Sequence, residues 1–254
     1  MTQLSSSQYY VVYNILSFTI AAMLAAFIFF TGARSQVGAK YRPALLVSSL
    51  VVAIAGYHYF RIFNSWEEAF TLTNGVYQPS GKPFNDAYRY VDWMLTVPLL
   101  LIELVAVLAL PLVEREGLFG KLAIAAFLMI VLGYPGEVAS DNTTRAIWGT
   151  LSTIPFIYIL AILWGKLGAV IPKQPARVQV LMKNIRLLLI ATWGFYPITY
   201  MMPMFGIERG SSIVGIQVGY AISDVLAKAF YGVMIYWIAY AKSEADGTLP
   251  QDAH

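Results

Sequence analysis

Ser212-Ile-Val-Gly-Ile-Gln-Val-Gly-Tyr-Ala-Ile-Ser-Asp224-Val-Leu-Ala-Lys228-Ala-Phe-Tyr-Gly-Val-Met-Ile-Tyr-Trp-Ile-Ala-Tyr-Ala241 carries only two formal charges, Asp224 and Lys228. A helix crosses a bilayer with about 20 mostly apolar residues, so this run reads as a membrane span. Lys228 lies about sixteen residues into it, too deep for easy snorkelling to either surface. A buried lysine must be neutral, paired or chemically converted, and a desolvated amine is suited to forming an imine with an aldehyde. Asp224 precedes it by one turn on the same face, where a carboxylate would keep such a nitrogen protonated. From this span alone, a structural Asp–Lys pair locking two helices is an equal reading.

The rest of the chain is of the same kind. Of 254 residues, 58% are hydrophobic and 12% are charged, against about 25% charged in a water-soluble domain. Further spans read as Tyr9–Thr31, Tyr41–Phe63, Ala87–Leu110, Leu118–Tyr134, Thr144–Leu167 and Arg186–Met202, which with Ser212–Ala241 makes seven. An all-α, seven-helix membrane bundle follows, as one domain over residues 1–254 with tails of about 1–8 and 243–254 outside it. The chain has no cysteine, and His58 and His254 are its only histidines, so Cys-based and His-rich metal sites are excluded. A net charge of +3 is too small to suggest nucleic-acid binding. Met1–Ser7 lacks a basic stretch ahead of the first apolar run, so the first span is expected to stay in the membrane.

Charge sets the expected orientation. One side of the bundle holds eleven Lys and Arg, in the first–second, third–fourth and fifth–sixth connections and the C-terminus; the other holds Arg61, Lys82, Arg89, Arg145 and Arg209. The positive-inside rule then puts the C-terminus in the cytoplasm and the N-terminus outside, in a cell membrane. The longest connection, between the second and third spans, contains Phe70-Thr-Leu-Thr-Asn74-Gly75-Val-Tyr-Gln. Asn-Gly favours a tight two-residue turn, which predicts a small extracellular β-hairpin. The polar tail from Ser243 to His254 is expected to lack structure.

Ionisable groups inside spans are functional candidates, because each costs roughly 2.5–3.5 kcal/mol on insertion scales. Besides Asp224 and Lys228 these are Asp92 and Glu103, with His58 a weaker case. Asp92, Thr96 and Glu103 are four and seven residues apart, hence on one helix face. Eleven residues separate Asp92 from Glu103, a rise of about 16 Å. The third and seventh spans run the same way, so Asp92 can sit level with Asp224 while Glu103 lies well to the cytoplasmic side of Lys228. Glu103 stands among Leu99, Leu100, Leu101, Ile102, Leu104 and Val105, where desolvation favours a protonated acid suited to giving up a proton. Asp92, with Arg89 one turn outward, is suited to being ionised and to accepting one.

Other polar and aromatic residues have two readings each. His58 is either a packed core histidine or, if it faces Asp92, a hydrogen-bonded partner of that carboxylate. Trp93, Trp193, Tyr196 and Tyr200 are either membrane packing or, beside Pro197, a ring-lined face that could clamp a flat conjugated ligand.

Taken in order, Arg89-Tyr-Val-Asp-Trp-Met-Leu-Thr-Val-Pro with Glu103, Trp193-Gly-Phe-Tyr-Pro and Asp224-Val-Leu-Ala-Lys228 resemble the microbial rhodopsins. Gly56-Tyr-His-Tyr-Phe-Arg-Ile-Phe-Asn-Ser-Trp and Leu132-Gly-Tyr-Pro-Gly-Glu resemble the xanthorhodopsin branch in particular. The resemblance covers all seven spans. It implies a light-driven outward proton pump with all-trans retinal on Lys228 as a protonated Schiff base, Asp92 as counterion and proton acceptor, and Asp224 as second counterion. It further implies Thr96 as the middle of the helix triad, Glu103 as cytoplasmic donor and His58 as the partner of Asp92. Trp93, Met129, Gly133, Ser152, Trp193 and Tyr196 fall where the family lines its retinal pocket, and Leu100 at the colour-tuning position implies green absorption. Protons and membrane lipid are the implied partners, in a homo-oligomer, pentamer or trimer.

Gly149 either permits close helix packing or opens a window against which a carotenoid antenna packs, as in xanthorhodopsin. No clear extracellular pair of proton-release carboxylates is evident; Glu137 and Glu208 are candidates. A pump for chloride or sodium and a sensory photoreceptor are the alternatives; the relatives that do these tasks lack the Asp92 or the Glu103 carboxyl.

Overall fold

The computed structural model describes residues 2–108 and 112–250. Among them, seven helical stretches are long and apolar enough to cross a membrane. They comprise α1 (Ser6–Ala33), α2 (Arg42–Ala69), α3 (Ala87–Leu108), α4 (Leu112–Glu137), α5 (Asn142–Val170) and α6 (Ala176–Tyr200). The seventh stretch is built from α7 (Arg209–Asp224), a π-helical turn (Val225–Phe230) and α8 (Tyr231–Ala245). Local chemistry sets the helix starts. Ser5 and Gln8 form a reciprocal capping box at α1, Asp141 Oδ1 accepts the Thr144 N–H at α5, and Glu208 accepts the Gly210 and Ser211 N–H groups at α7.

The bundle is inside-out relative to a soluble protein. Ile28, Ile124, Ile154 and Leu187 are each at least 60% exposed, whereas Arg89, Asp92, Glu103, Asp224 and Lys228 are at most 2% exposed. Hydrocarbon outside and charge inside is the arrangement a lipid solvent selects, because each backbone group is already bonded within its helix.

Helices exceed the predicted spans at several ends. α4 starts at Leu112 rather than Leu118, and α6 at Ala176 rather than Arg186. Hydropathy marks only the segment immersed in hydrocarbon, and the polar ends stay helical in the interface. The predicted end of the third span at Leu110, and the last residues of the C-terminal tail through His254, fall outside the described residues.

The predicted hairpin is present as β2 (Phe70–Thr73) and β3 (Val76–Pro79). Asn74 and Gly75 both take positive φ, 51° and 81°, as a type I′ turn requires. A third strand, β1 (Leu4–Ser5), pairs with β3, so part of the N-terminal tail extends the sheet. At the other end, the chain stays helical past Ser243 and finishes in a Schellman turn. Gly247 has φ 66°, Thr248 N–H donates to Ser243 O at 2.9 Å and Gly247 N–H to Glu244 O at 3.1 Å.

Candidate functional site

Lys228 lies on the π turn, a wider coil that alters which way its side chains face and that recurs at functional sites. Its Nζ donates to Asp92 Oδ2 of α3 and lies 2.9 Å from Asp224 Oδ1 of α7. The sequence placed these three groups at one depth, and the fold brings them into contact.

The two carboxylates are held differently. Asp224 accepts the Tyr59 hydroxyl at 2.7 Å, the Tyr196 hydroxyl at 2.5 Å and the Trp93 Nε1–H at 3.1 Å, from α2, α6 and α3. Several charge-assisted hydrogen bonds fix it as an anion. Asp92 has the lysine on Oδ2, and its Oδ1 has no hydrogen-bond partner. His58 is buried and faces it, but Nδ1 stands 4.0 Å from Oδ1. The same nitrogen is 2.9 Å from the Ile54 carbonyl one turn back, which occupies it, so the expected His58–Asp92 hydrogen bond is not formed. Thr96, the middle of the triad, donates to the Asp92 carbonyl at 2.9 Å.

Glu103 is fully buried on the same helix, eleven residues on. Oε2 accepts the Ser48 hydroxyl of α2 at 2.6 Å and Oε1 has no partner. Leu100, Leu101, Leu104 and Val105 around it are buried. No cation is paired with it among the described residues, and such a site tolerates the neutral acid far better than the anion.

Toward the hairpin end the polar groups multiply. Arg89, expected near Asp92, instead donates to Asp86 Oδ1 at 3.2 Å and Gln217 Oε1 at 3.0 Å, under the Tyr220 ring. Asp86 and Gln217 together take two of its amino groups, and no hydrogen bond to Asp92 is formed. Glu137 is buried, accepting Tyr90 and Tyr220 hydroxyls at 3.2 and 2.9 Å, with Arg145 Nη1 at 3.8 Å. Glu208 caps α7 instead; its carboxyl lies below the usual range because the Gly210 and Ser211 amides donate to it. The two release candidates thus serve separate networks.

A cavity runs from Lys228 between α3, α4, α5 and α6, enclosing or opening onto about 820 Å³. Trp93, Leu100, Met129, Gly133, Gly149, Ser152, Trp193, Tyr196 and Tyr200 all line it, as do Tyr90, Phe156 and Tyr220. Ring-lined apolar walls and one buried amine at the end fit a flat apolar group joined to that amine. Gly149 is needed for packing in this arrangement: a Cβ there would lie 2.6 Å from Tyr200 Cε1.

Sequence reasoning missed Ser48, Tyr59, Gln217 and the pocket role of Tyr220. Ser48 and Gln217 are polar residues inside spans, a signal that was available. Tyr59 is one of 17 tyrosines and carried none.

These features define a class: a seven-helix membrane protein with an amine buried between two carboxylates at the end of an aromatic pocket. The chain belongs to the bacteriorhodopsin-like protein family, the type 1 microbial rhodopsins, which it matches over residues 12–242. It is 31% identical over 227 residues to a green-light absorbing proteorhodopsin of Gamma-proteobacterium EBAC31A08, covering 88% of this chain and 84% of that one. Its fold matches that of xanthorhodopsin, described as a light-driven ion pump with dual chromophore, with TM-score 0.91 and 59% identity over 97% of this chain and 99% of the other. A thermophilic rhodopsin matches with TM-score 0.92 and 49% identity, over 97% and 99%. The chain is therefore a multi-pass membrane protein of a light-driven pump family, a transporter class rather than an enzyme, whose members bind retinal covalently through a lysine.

Proposed function

We propose that this protein is a light-driven outward proton pump, with retinal held on Lys228. The single observation that carries the reading is Glu103: a buried carboxyl on the Asp92 face of α3, remote from Lys228 and with no cation beside it among the described residues. A counterion site alone would not need it. Bound to the amine, retinal supplies light absorption and a light-driven change in the direction that the linking nitrogen faces.

The chain's own residues do the rest. Asp92, with one oxygen free of hydrogen bonds, accepts the proton from Nζ. Asp224, with its three donors saturated, remains an anion and keeps the site electrically balanced. Glu103 returns a proton to Nζ from the opposite side and refills from the side bearing the C-terminus, which the distribution of Lys and Arg makes cytoplasmic. Asp92 then gives its proton up toward the hairpin side, past Arg89, Asp86 and Gln217, and is again a carboxylate. His58, beside Asp92 at 4.0 Å, tunes that acceptor through space. Each exported proton costs about 2.3 kcal/mol per 100 mV of membrane potential, which the photon covers. Protons are the cargo, and assembly as a pentamer or trimer is part of the same reading.

The test is the pH of an unbuffered suspension of cells making the protein with retinal. Acidification in light, abolished by a protonophore, is expected. An alkaline shift that the protonophore enhances would assign another ion, and no shift from a coloured sample would favour a sensor.

A carotenoid antenna is a second element of this reading, supported by Gly149 on the cavity wall and the likeness to a dual-chromophore pump. Carotenoid bands should appear in the action spectrum of pumping and vanish in Gly149→Trp. Their absence from carotenoid-loaded protein would leave Gly149 a packing residue for Tyr200.

A further inference from the structure

Lys242 is the one lysine besides Lys228 buried among the described residues, being 6% exposed. Nothing above gives it a task. Its Nζ donates to the Val107 carbonyl at 2.8 Å and lies 5.6 Å from the Tyr41 ring centroid. No carboxylate of the described residues lies within 4.0 Å of it. Lys40 repels it and Asp246, itself shared with Lys40 and Tyr41, attracts it only through space, so an ammonium so withdrawn from water is expensive and its position calls for a specific cause.

That cause is a backbone carbonyl of α3 (Ala87–Leu108). Val107 lies one turn beyond Glu103 on the same face, and the residue four positions on is Pro111, which has no N–H to donate to the Val107 carbonyl. Lys242 therefore bridges from α8 to α3 at the level just past Glu103, on the side from which that acid must refill. The same terminal turn of α8 is fastened elsewhere. Ser243 Oγ accepts the Gly38 N–H at 2.9 Å, Asp246 accepts the Tyr41 hydroxyl at 2.7 Å, and Glu244 pairs with Arg177 of α6 at 2.6 Å. Of these ties, Lys242 alone joins α8 to the helix that carries Glu103.

We propose that Lys242 is a positioning residue that latches α8 to α3 at the Val107 carbonyl and holds shut the route by which Glu103 regains a proton. Glu103 is wholly buried, so a proton from water reaches it only through an opening of the packing around it, and the α3–α8 seam just past it is the one that Lys242 closes. The latch opposes opening by its hydrogen bond, and its positive charge opposes a proton approaching along the seam. The inference rests on reading Glu103 as the inward donor.

The experiment is flash spectroscopy on the intact purified pigment with retinal, comparing wild type, Lys242→Met, Lys242→Arg and Glu103→Gln across bulk pH. Methionine keeps the length of the side chain and loses donor and charge. Reprotonation of Glu103 in Lys242→Met should be about tenfold faster, as when one charge-assisted hydrogen bond no longer holds the closed state. It should rise more steeply with bulk acidity, at an unchanged absorption maximum, while Lys242→Arg stays near wild type. Unchanged or slower Glu103 reprotonation in Lys242→Met, with Glu103→Gln still retarding the return of the Nζ proton, would overturn the latch alone. If Glu103→Gln leaves that return unaffected, the donor reading fails and the latch with it. A merely structural role would instead shift the absorption maximum, leave the pH profile flat and resist rescue by arginine; that pattern also overturns the latch.

Discussion

Asp224 and Glu103 are both acidic, both buried beyond reach of water and both bordered by aromatic or leucine side chains, yet their surroundings are opposites. The half of the bundle nearer the hairpin crowds polar groups together: two tyrosines and a tryptophan on Asp224, then Arg89, Gln217, Asp86, Glu137 and Arg145 in continuing contact. The other half gives Glu103 one serine and a wall of leucines. Burial by itself does not set a carboxyl's task. The donors around it decide whether charge is welcome, and on the proposed reading the contrast between the halves is what would give proton movement a direction.

Substitutions can break that contrast, beginning with its hinge. Lys228→Ala should give a folded chain that stays colourless when retinal is added, read as the absence of a visible band. Asp92→Asn should retain pigment but lose light-driven export by about a hundredfold or more, as expected when a proton acceptor is removed; light-induced pH change measures it. Glu103→Gln should slow the return of the Nζ proton by about ten- to a hundredfold near neutrality. Flash spectroscopy should find the residual rate following bulk proton concentration, since only water is left to supply it.

Smaller changes sharpen the picture. Tyr59→Phe removes one of the three donors to Asp224 and should cost about 1–3 kcal/mol of stability, read by thermal bleaching, because the buried anion loses a partner it cannot replace from water. The smallest effect is expected at Glu208, at the surface end of α7. Its carboxyl titrates below the ordinary range, because the Gly210 and Ser211 amides favour the anion. The support it gives is therefore complete above the ordinary carboxylate range and is lost as pH falls through its lowered folded value. The protection of the Gly210 and Ser211 amides, their exchange taken relative to the intrinsic rate at each pH, should fall in acid in the wild type and be insensitive to that titration in Glu208→Gln.

How far the site could be read beforehand varies by residue. Lys228, Asp92, Asp224 and Glu103 stood out because a charge in an apolar span is rare, and helix periodicity put them on shared faces. Ser48 and Gln217 gave a weaker signal, since hydroxyl and amide groups cost less in a span than a charge, and Tyr59 gave none among so many tyrosines. Arg89 was placed beside Asp92 by helix spacing, and His58 was paired with it by the resemblance. Both find other oxygens, in Asp86 with Gln217 and in the Ile54 carbonyl, because side-chain reach and direction choose among acceptors that sequence spacing leaves equivalent.

By itself the sequence determined the seven spans, the hairpin turn at Asn74-Gly75, and one amine with three acids at defined depths. Those follow from solvent preference and from periods of 3.6 and 2 residues, which are local. Tertiary structure alone decided which acid is saturated with donors and which has a free oxygen. It also decided that β1 joins the sheet, that the tail turns back onto Gly38, and that Lys242 ends on α3. Those outcomes depend on distances between segments far apart in the chain, which no local pattern encodes.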